Sequence, residues 1–254
     1  MALFVIVLPA WGVQARQSCL SCHTSHYSER GNCSGFHLGN PASARKNIAH
    51  AGLREGMYSR FTLNDVRNDG EGRRLMNQLA CRRCHVSDSR GNRLSANLDG
   101  SAARKTAGEL ARSIRQPVMH MPNFALDDQR ITLLVNTILA NAQGRSVDKA
   151  APVTVHFSRS GRQDADIFSK KCGSCHRLLS LSRGGVGAGK IGPNLSGLFS
   201  EFYPKTFRTG ERWTPRTLAE WLKNPRQIRP EARMQPVTVS EAELQELELI
   251  IRSE

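Results

Sequence analysis

Cys19-Leu20-Ser21-Cys22-His23, Cys81-Arg82-Arg83-Cys84-His85 and Cys172-Gly173-Ser174-Cys175-His176 take up six of the seven cysteines in this chain of 254 residues. In each, two thiols stand one helical turn apart, close enough to reach the two vinyl groups of one porphyrin. The histidine that follows turns its imidazole toward the iron. The spacing therefore predicts covalent haem c at Cys19/Cys22, Cys81/Cys84 and Cys172/Cys175, with His23, His85 and His176 as proximal iron ligands. A structural zinc site would need two such pairs, or added histidines, around one metal, whereas each pair here ends at once in His and lies far from the next. A thioredoxin-like redox pair occurs once, in a βαβ setting, not three times.

A porphyrin is a large apolar body that a short polypeptide wraps as its own core. A chain with 6% aromatic residues can therefore still fold, either as two ordinary domains or as several small cofactor-built ones. The opening MALFVIVLPAWGVQA (residues 1–15) is an apolar stretch ending in a small residue, as signal peptidase requires. It is too short to span a bilayer, which takes about 20 apolar residues. It reads as a signal peptide, with a retained anchor or a buried strand as the alternative. The mature chain would then begin near Arg16, exported to the periplasm, the outer membrane or beyond. The formal charge of +14 would ordinarily raise nucleic acid as a partner, but export sets that aside. The propionates of three haems would reduce the charge to roughly +8. The basic surface then reads as a docking face for an acidic redox partner, or as a dispersed solvated surface.

From Asp69 onward the chain reads twice as one unit. GEGRRLMNQLACRRCH (70–85) and GRQDADIFSKKCGSCH (161–176) are each read as a helical stretch running into the haem motif, with Leu75 and Leu79, or Ile167 and Phe168, on the apolar face. LARSIRQP (110–117) aligns without gaps to LAEWLKNP (218–225). Both copies then pass a methionine and close on a helix. Asp127 and Asp128 suit the start of one; Ser240, Glu241 and Glu243 suit the start of the other.

This pattern resembles the class I c-type cytochrome domain. The resemblance implies a mostly α fold of two tandem class I domains (67–145 and 161–254). The stretch between them (146–160) has linker composition, with His156 read as a surface histidine. The resemblance further implies a distal methionine in each domain: Met121, with Met119 and His120 as rivals, and Met234. Ile191-Gly192-Pro193-Asn194-Leu195 looks like the family's loop whose proline carbonyl bonds the proximal imidazole, and Trp213 sits where a tryptophan near a propionate is often found. In the first copy Ala96-Asn97-Leu98 takes that loop's place without the proline, which leaves the support of His85 in question. GGVGAGK (184–190) fits part of a phosphate-binding loop, but Ile191 stands where Ser or Thr would bind Mg²⁺. It reads instead as a flexible loop over the haem edge.

Residues 16–66 differ in kind. They are rich in His, Gly, Ser and Asn with little apolar periodicity, and read as a loop-rich His/Cys module organised by its cofactor. Cys33-Ser34-Gly35-Phe36-His37 is the haem motif with its second cysteine replaced. Either it holds a fourth haem through one thioether, or the haem has been lost and Cys33 is a thiol, or the likeness is chance. For the iron on His23 the distal candidates are His50, His26 and His37. His50 is favoured, because His26 follows its motif so closely that it more easily reaches a neighbouring haem; Met57 is weaker. The whole order, a His-rich module before two class I domains, resembles cytochromes of extracellular electron-conduit or selenite and tellurite reduction systems of metal-reducing bacteria. These readings imply a multihaem carrier of single electrons between redox partners, at or near an outer-membrane conduit. The alternatives are a haem enzyme, dihaem peroxidase-like or oxyanion-reducing, and the cytochrome subunit of a larger oxidoreductase.

Overall fold

Glycine, serine and asparagine stop helices from propagating near the N-terminus. The computed structural model describes residues 18–60, 66–118, 120–144 and 166–252, and in its first stretch only single turns form. Ser18–Ser21 and Ser28–Arg30 are 3-10 turns. They are followed by α1 (Cys33–His37) and α2 (Lys46–Ala49). The Asn32 side chain caps α1, accepting from the Gly35 N–H at 2.9 Å. At Gly39 the backbone has φ +79°, and a Cβ there would lie 2.6 Å from the Ala49 carbonyl oxygen, which accepts the Asn40 N–H. The expected signal peptide, the linker with His156, and Met119 lie outside the described residues.

The first helical unit holds α3 (Val66–Gln78), a 3-10 turn at Cys81–Arg83, α4 (Leu98–Arg104), α5 (Ala107–Arg115) and α6 (Asp128–Ala142). Helices α3 and α6 cross at Gly72, where a Cβ would fall 1.8 Å from Thr137 Oγ1, so only glycine permits the approach. Met76, Leu110, Ile131, Leu134, Val135 and Ile138 fill the core beside them. Tyr58 from the preceding stretch is buried in the same core, so the N-terminal residues are packed into this unit rather than tethered to it.

The second unit begins at α7 (Ile167–Lys171). Asp166 caps it by accepting from the Ser169 N–H at 2.9 Å; residues 161–165 of the expected helical stretch lie outside the described residues. A two-stranded antiparallel hairpin follows, β1 (Leu178–Ser180) and β2 (Gly184–Val186), with Leu178 opposite Val186. The glycine-rich segment expected to be a flexible loop is thus, over its first three residues, a buried strand. Helices α8 (Pro215–Lys223), α9 (Pro225–Ile228) and α10 (Glu241–Ile251) complete the unit. Phe168, Leu178, Val186, Phe207, Leu222, Leu247 and Ile250 form its core. The molecule is mostly helical, and among the described residues no helix is long and apolar enough to cross a membrane.

Candidate haem sites

In the first unit α3 ends at Gln78, and Ala80, with a left-handed backbone (φ 52°), turns the chain into the Cys81–Arg83 turn. The His85 N–H then bonds the Cys81 carbonyl at 3.1 Å; the equivalent bond from His176 to Cys172 is 2.8 Å, and from His23 to Cys19 3.0 Å. Each motif is therefore one closed turn with its histidine directly after it. His85 Nδ1 donates to the Ala96 carbonyl at 2.7 Å, and His176 Nδ1 donates to the Pro193 carbonyl at 2.9 Å. A carbonyl only accepts, so the ring proton sits on Nδ1 and Nε2 keeps its lone pair for a metal. Desolvation pushes the His85 imidazole down from its ordinary value, favouring that neutral form. The missing proline in the first copy costs nothing here, because any residue has a carbonyl. Asn97 fixes that of Ala96 by capping α4, its side chain accepting from the Asp99 and Gly100 N–H groups at 2.9 and 3.2 Å.

The second site is a cradle made of glycine. A Cβ on Gly192 would lie 2.2 Å from His176 Cε1, one on Gly189 2.2 Å from the Cys175 carbonyl carbon, and one on Gly187 2.3 Å from the His176 oxygen. The chain from β2 to Pro193 thus wraps the motif at backbone contact, which explains residues 184–192 without any phosphate. Burial pushes the Cys81 and Cys172 thiols up to about 11, and raises Cys84 as well.

Met234 is half-buried, and its sulfur accepts from Trp221 Nε1 at 3.2 Å. Trp213 donates to Thr206 Oγ1 at 3.0 Å and meets Phe207 and Trp221 edge-on. Trp221 was not singled out by the sequence reading, although the aligned repeat holds the signal: it occupies the position of Ser113. Met121 is half-buried on the turn between α5 and α6. Its rival His120 is turned toward the backbone of Val186 and Gly187 in the second unit. Met57 packs on α6 instead of joining the histidines, its sulfur 4.0 Å from Thr132 Oγ1.

The N-terminal histidines fall into two pairs. His23 faces His50 with ring centroids 6.0 Å apart, while His26 faces His37 at 5.6 Å. Of the three distal candidates for His23, His50 is therefore the one brought to it, and the other two are brought to each other. In α1, Cys33 and His37 stand at the two ends of a single turn.

The two helical units meet beside the haem motifs. Arg83, inside the first motif, donates to the Asn194 carbonyl at 2.9 Å and lies over the Tyr203 ring at 5.4 Å. Asn194 Nδ2 in turn donates to the His120 carbonyl at 2.7 Å. Cys84 packs with Leu94 and Leu179, its thiol hydrogen-bonded to the Ser196 hydroxyl.

The family model described as cytochrome C oxidase, cbb3-type, subunit III matches residues 67–136. The chain is 34% identical over 83 residues to a cytochrome c of Stellaria longipes, covering 71% of that protein and 29% of this one. The chain belongs to the cytochrome c family. A cytochrome c of Arabidopsis thaliana is 32% identical over 89 residues, covering 75% of it and 32% of this chain. Cytochrome c2 of Rhodospirillum rubrum is 39% identical over 70 residues, 58% of its length and 23% of this chain. No solved structure matches at the same stringency. As a cytochrome c the protein binds haem c covalently and exchanges electrons with redox proteins.

Proposed function

We propose that this cytochrome is multihaem: two tandem class I domains (67–145 and 161–254) behind an N-terminal haem module (16–66). In this reading it is exported and carries single electrons between redox partners in a respiratory or extracellular chain. The observation that supports it most is the recurrence of one local arrangement. A closed Cys-x-x-Cys-His turn has its imidazole Nδ1 held by a main-chain carbonyl at Ala96 and again at Pro193, and a third turn presents His23 to His50.

Covalently held haem supplies a one-electron carrier at each site. The residues of the chain set its character. Cys19/Cys22, Cys81/Cys84 and Cys172/Cys175 anchor the three groups, and His23, His85 and His176 present the proximal nitrogen. His50 in the N-terminal module, and Met121 and Met234 in the two domains, would supply the second ligand. With two protein ligands each, the irons would have no open position for a substrate, which favours a carrier over an enzyme. A thioether raises the haem potential relative to a second imidazole, so electrons would run from the His23 haem toward the Met-ligated pair. The excess of 14 positive charges before propionates suits an acidic redox partner by steering encounter, including one at an outer-membrane conduit.

The test is the optical spectrum of the secreted, dithionite-reduced protein before and after carbon monoxide. An unchanged Soret band is expected. A shift in one haem's band would mean an iron with a labile or missing ligand and would move the peroxidase-like or oxyanion-reducing reading to the front.

A further inference from the structure

We infer that Cys33, His37 and His26 bind a fourth haem, attached through a single thioether and ligated by two histidines. The inference rests on the multihaem reading above and extends it to a site with no intact motif.

Three independent features of the described residues converge there. First, α1 reproduces the turn of the intact motifs: Cys33 and His37 stand four positions apart on one helical turn, as Cys81 and His85 do. Phe36 puts an apolar side chain where the second thiol would stand, which suits a vinyl group that stays unlinked. Second, His37 has the support of a proximal ligand. Its Nδ1 donates to the Arg54 carbonyl at 3.1 Å, the same bond that His85 makes to Ala96 and His176 to Pro193. Such a bond fixes the tautomer with Nε2 bare, which is the form that a metal-ligating imidazole needs. Third, that Nε2 meets a second histidine: it accepts from the His26 Nε2–H, a proton that His26 would carry on Nδ1 instead when ligating iron. His37 Nε2 and His26 Nε2 are 3.4 Å apart. The centroid separation of 5.6 Å exceeds this by about two ring radii, so the rings meet nose to nose. Two imidazoles on opposite faces of one iron would stand about 4 Å apart at a metal–nitrogen distance of roughly 2 Å, and the pair needs little opening.

The site is tied to the rest of the molecule through Arg54. Its N–H bonds the His37 carbonyl at 2.7 Å, and its guanidinium donates to the carbonyls of Ala102 and Lys105 at the end of α4. A haem here would therefore be held against the first helical unit rather than on a loose arm.

Attachment is an addition without change in oxidation state. The Cys33 sulfur bonds the α-carbon of one vinyl group, the thiol proton passes to the β-carbon, the C=C double bond becomes single, and nothing leaves.

The experiment is denaturing intact mass spectrometry of the full chain, matured in a periplasm that attaches c-type haem, with peptide mapping of the segment holding Cys33. Four haem masses per chain are expected, with one on the Cys33 peptide, and Cys33→Ala should lose one of the four. The alkaline pyridine haemochrome band should carry a component to the red of doubly linked haem c, because one vinyl stays conjugated. In the reduced protein His26→Ala should add one haem's worth of carbon monoxide binding. Three masses with Cys33 alkylated by iodoacetamide would overturn the fourth site and leave the three-haem carrier standing. Fewer than three masses would overturn the three-haem reading above, and the Cys33 peptide would then decide this site by itself: haem on it sustains the inference, an alkylated thiol ends it.

Discussion

At Gly192 a methyl group has nowhere to go. It would meet His176 Cε1 at 2.2 Å and Nδ1 at 2.5 Å, atoms of the imbedded ring rather than of a flexible chain end. Gly192→Ala should destabilise the protein by roughly 1–3 kcal/mol, the usual cost of overpacking, and lower haem occupancy at Cys172/Cys175. Urea denaturation and intact mass read the two effects. Gly108, on α5 with nothing within 4 Å of its Cβ position, is the contrast: Gly108→Ala should stabilise by about 0.5–1 kcal/mol. The bond from Trp221 to the Met234 sulfur has a consequence of another sort. It draws electron density from the thioether and would weaken it as a donor to oxidised iron if Met234 is the ligand proposed above. Trp221→Phe should therefore lower the midpoint of the His176 haem in a potentiometric titration, and an unchanged midpoint would remove Trp221 from that role. In the first unit Ser113 stands at this position and bonds the Glu109 carbonyl instead, so only one of the two proposed methionine ligands has an indole donor at this point.

Helix starts are where the sequence was most legible, because they depend on neighbours in the chain. Asp127 accepts from the Arg130 N–H, and Ser240 with Glu243 closes a capping box at α10. Capping boxes at Thr106 and Thr214 place α5 and α8 at the same point of the repeat. What depends on distant backbone was not legible. The pattern of residues 184–190 looks like a loop, and only the pairing of Gly184 with Ser180 and the close approach of Gly187 to His176 make it a strand and a cradle. That His26 would reach past its own motif was legible from its spacing, but its pairing with His37 was not, since it needs the fold of residues 38–54 to set Arg54 beside α1. Elements are also joined by charge. Lys171 on α7 donates to Glu243 on α10 at 2.9 Å and to the Thr238 carbonyl at 2.7 Å. The Lys171 bond first, and the Ser240 N–H after it, hold the Glu243 carboxyl below its usual range. A carboxyl depressed in the folded state stabilises fully above its unfolded pKa, and that contribution is lost as pH falls through the folded value. Urea midpoints should thus fall more steeply below the ordinary glutamate range for the native chain than for Lys171→Met; parallel curves would sink the assignment.

Across the whole molecule, the two helical units are joined beside their Cys-x-x-Cys-His motifs. Arg83 contributes a charged hydrogen bond to Asn194 and a ring contact to Tyr203, and the backbones touch where Gly197, at φ +68°, leaves 2.5 Å between a notional Cβ and the Arg83 oxygen. Arg83→Ala should loosen this contact by up to about 1.5–3 kcal/mol, seen as faster amide exchange over residues 194–203. Arg90→Ala, which removes an exposed 3.7 Å pair with Glu201, should change it by less than about 1 kcal/mol. The same contact imposes an order of assembly. Cys84 is 9% exposed and sits between Leu94 and Leu179, with Ser196 on its thiol. A thiol enclosed in this way is out of reach of any attachment machinery, so the haem proposed at Cys81 and Cys84 would have to be attached before the second unit closes over it. Synthesis from the N-terminus would serve that order, the first unit emerging before the partner that seals it.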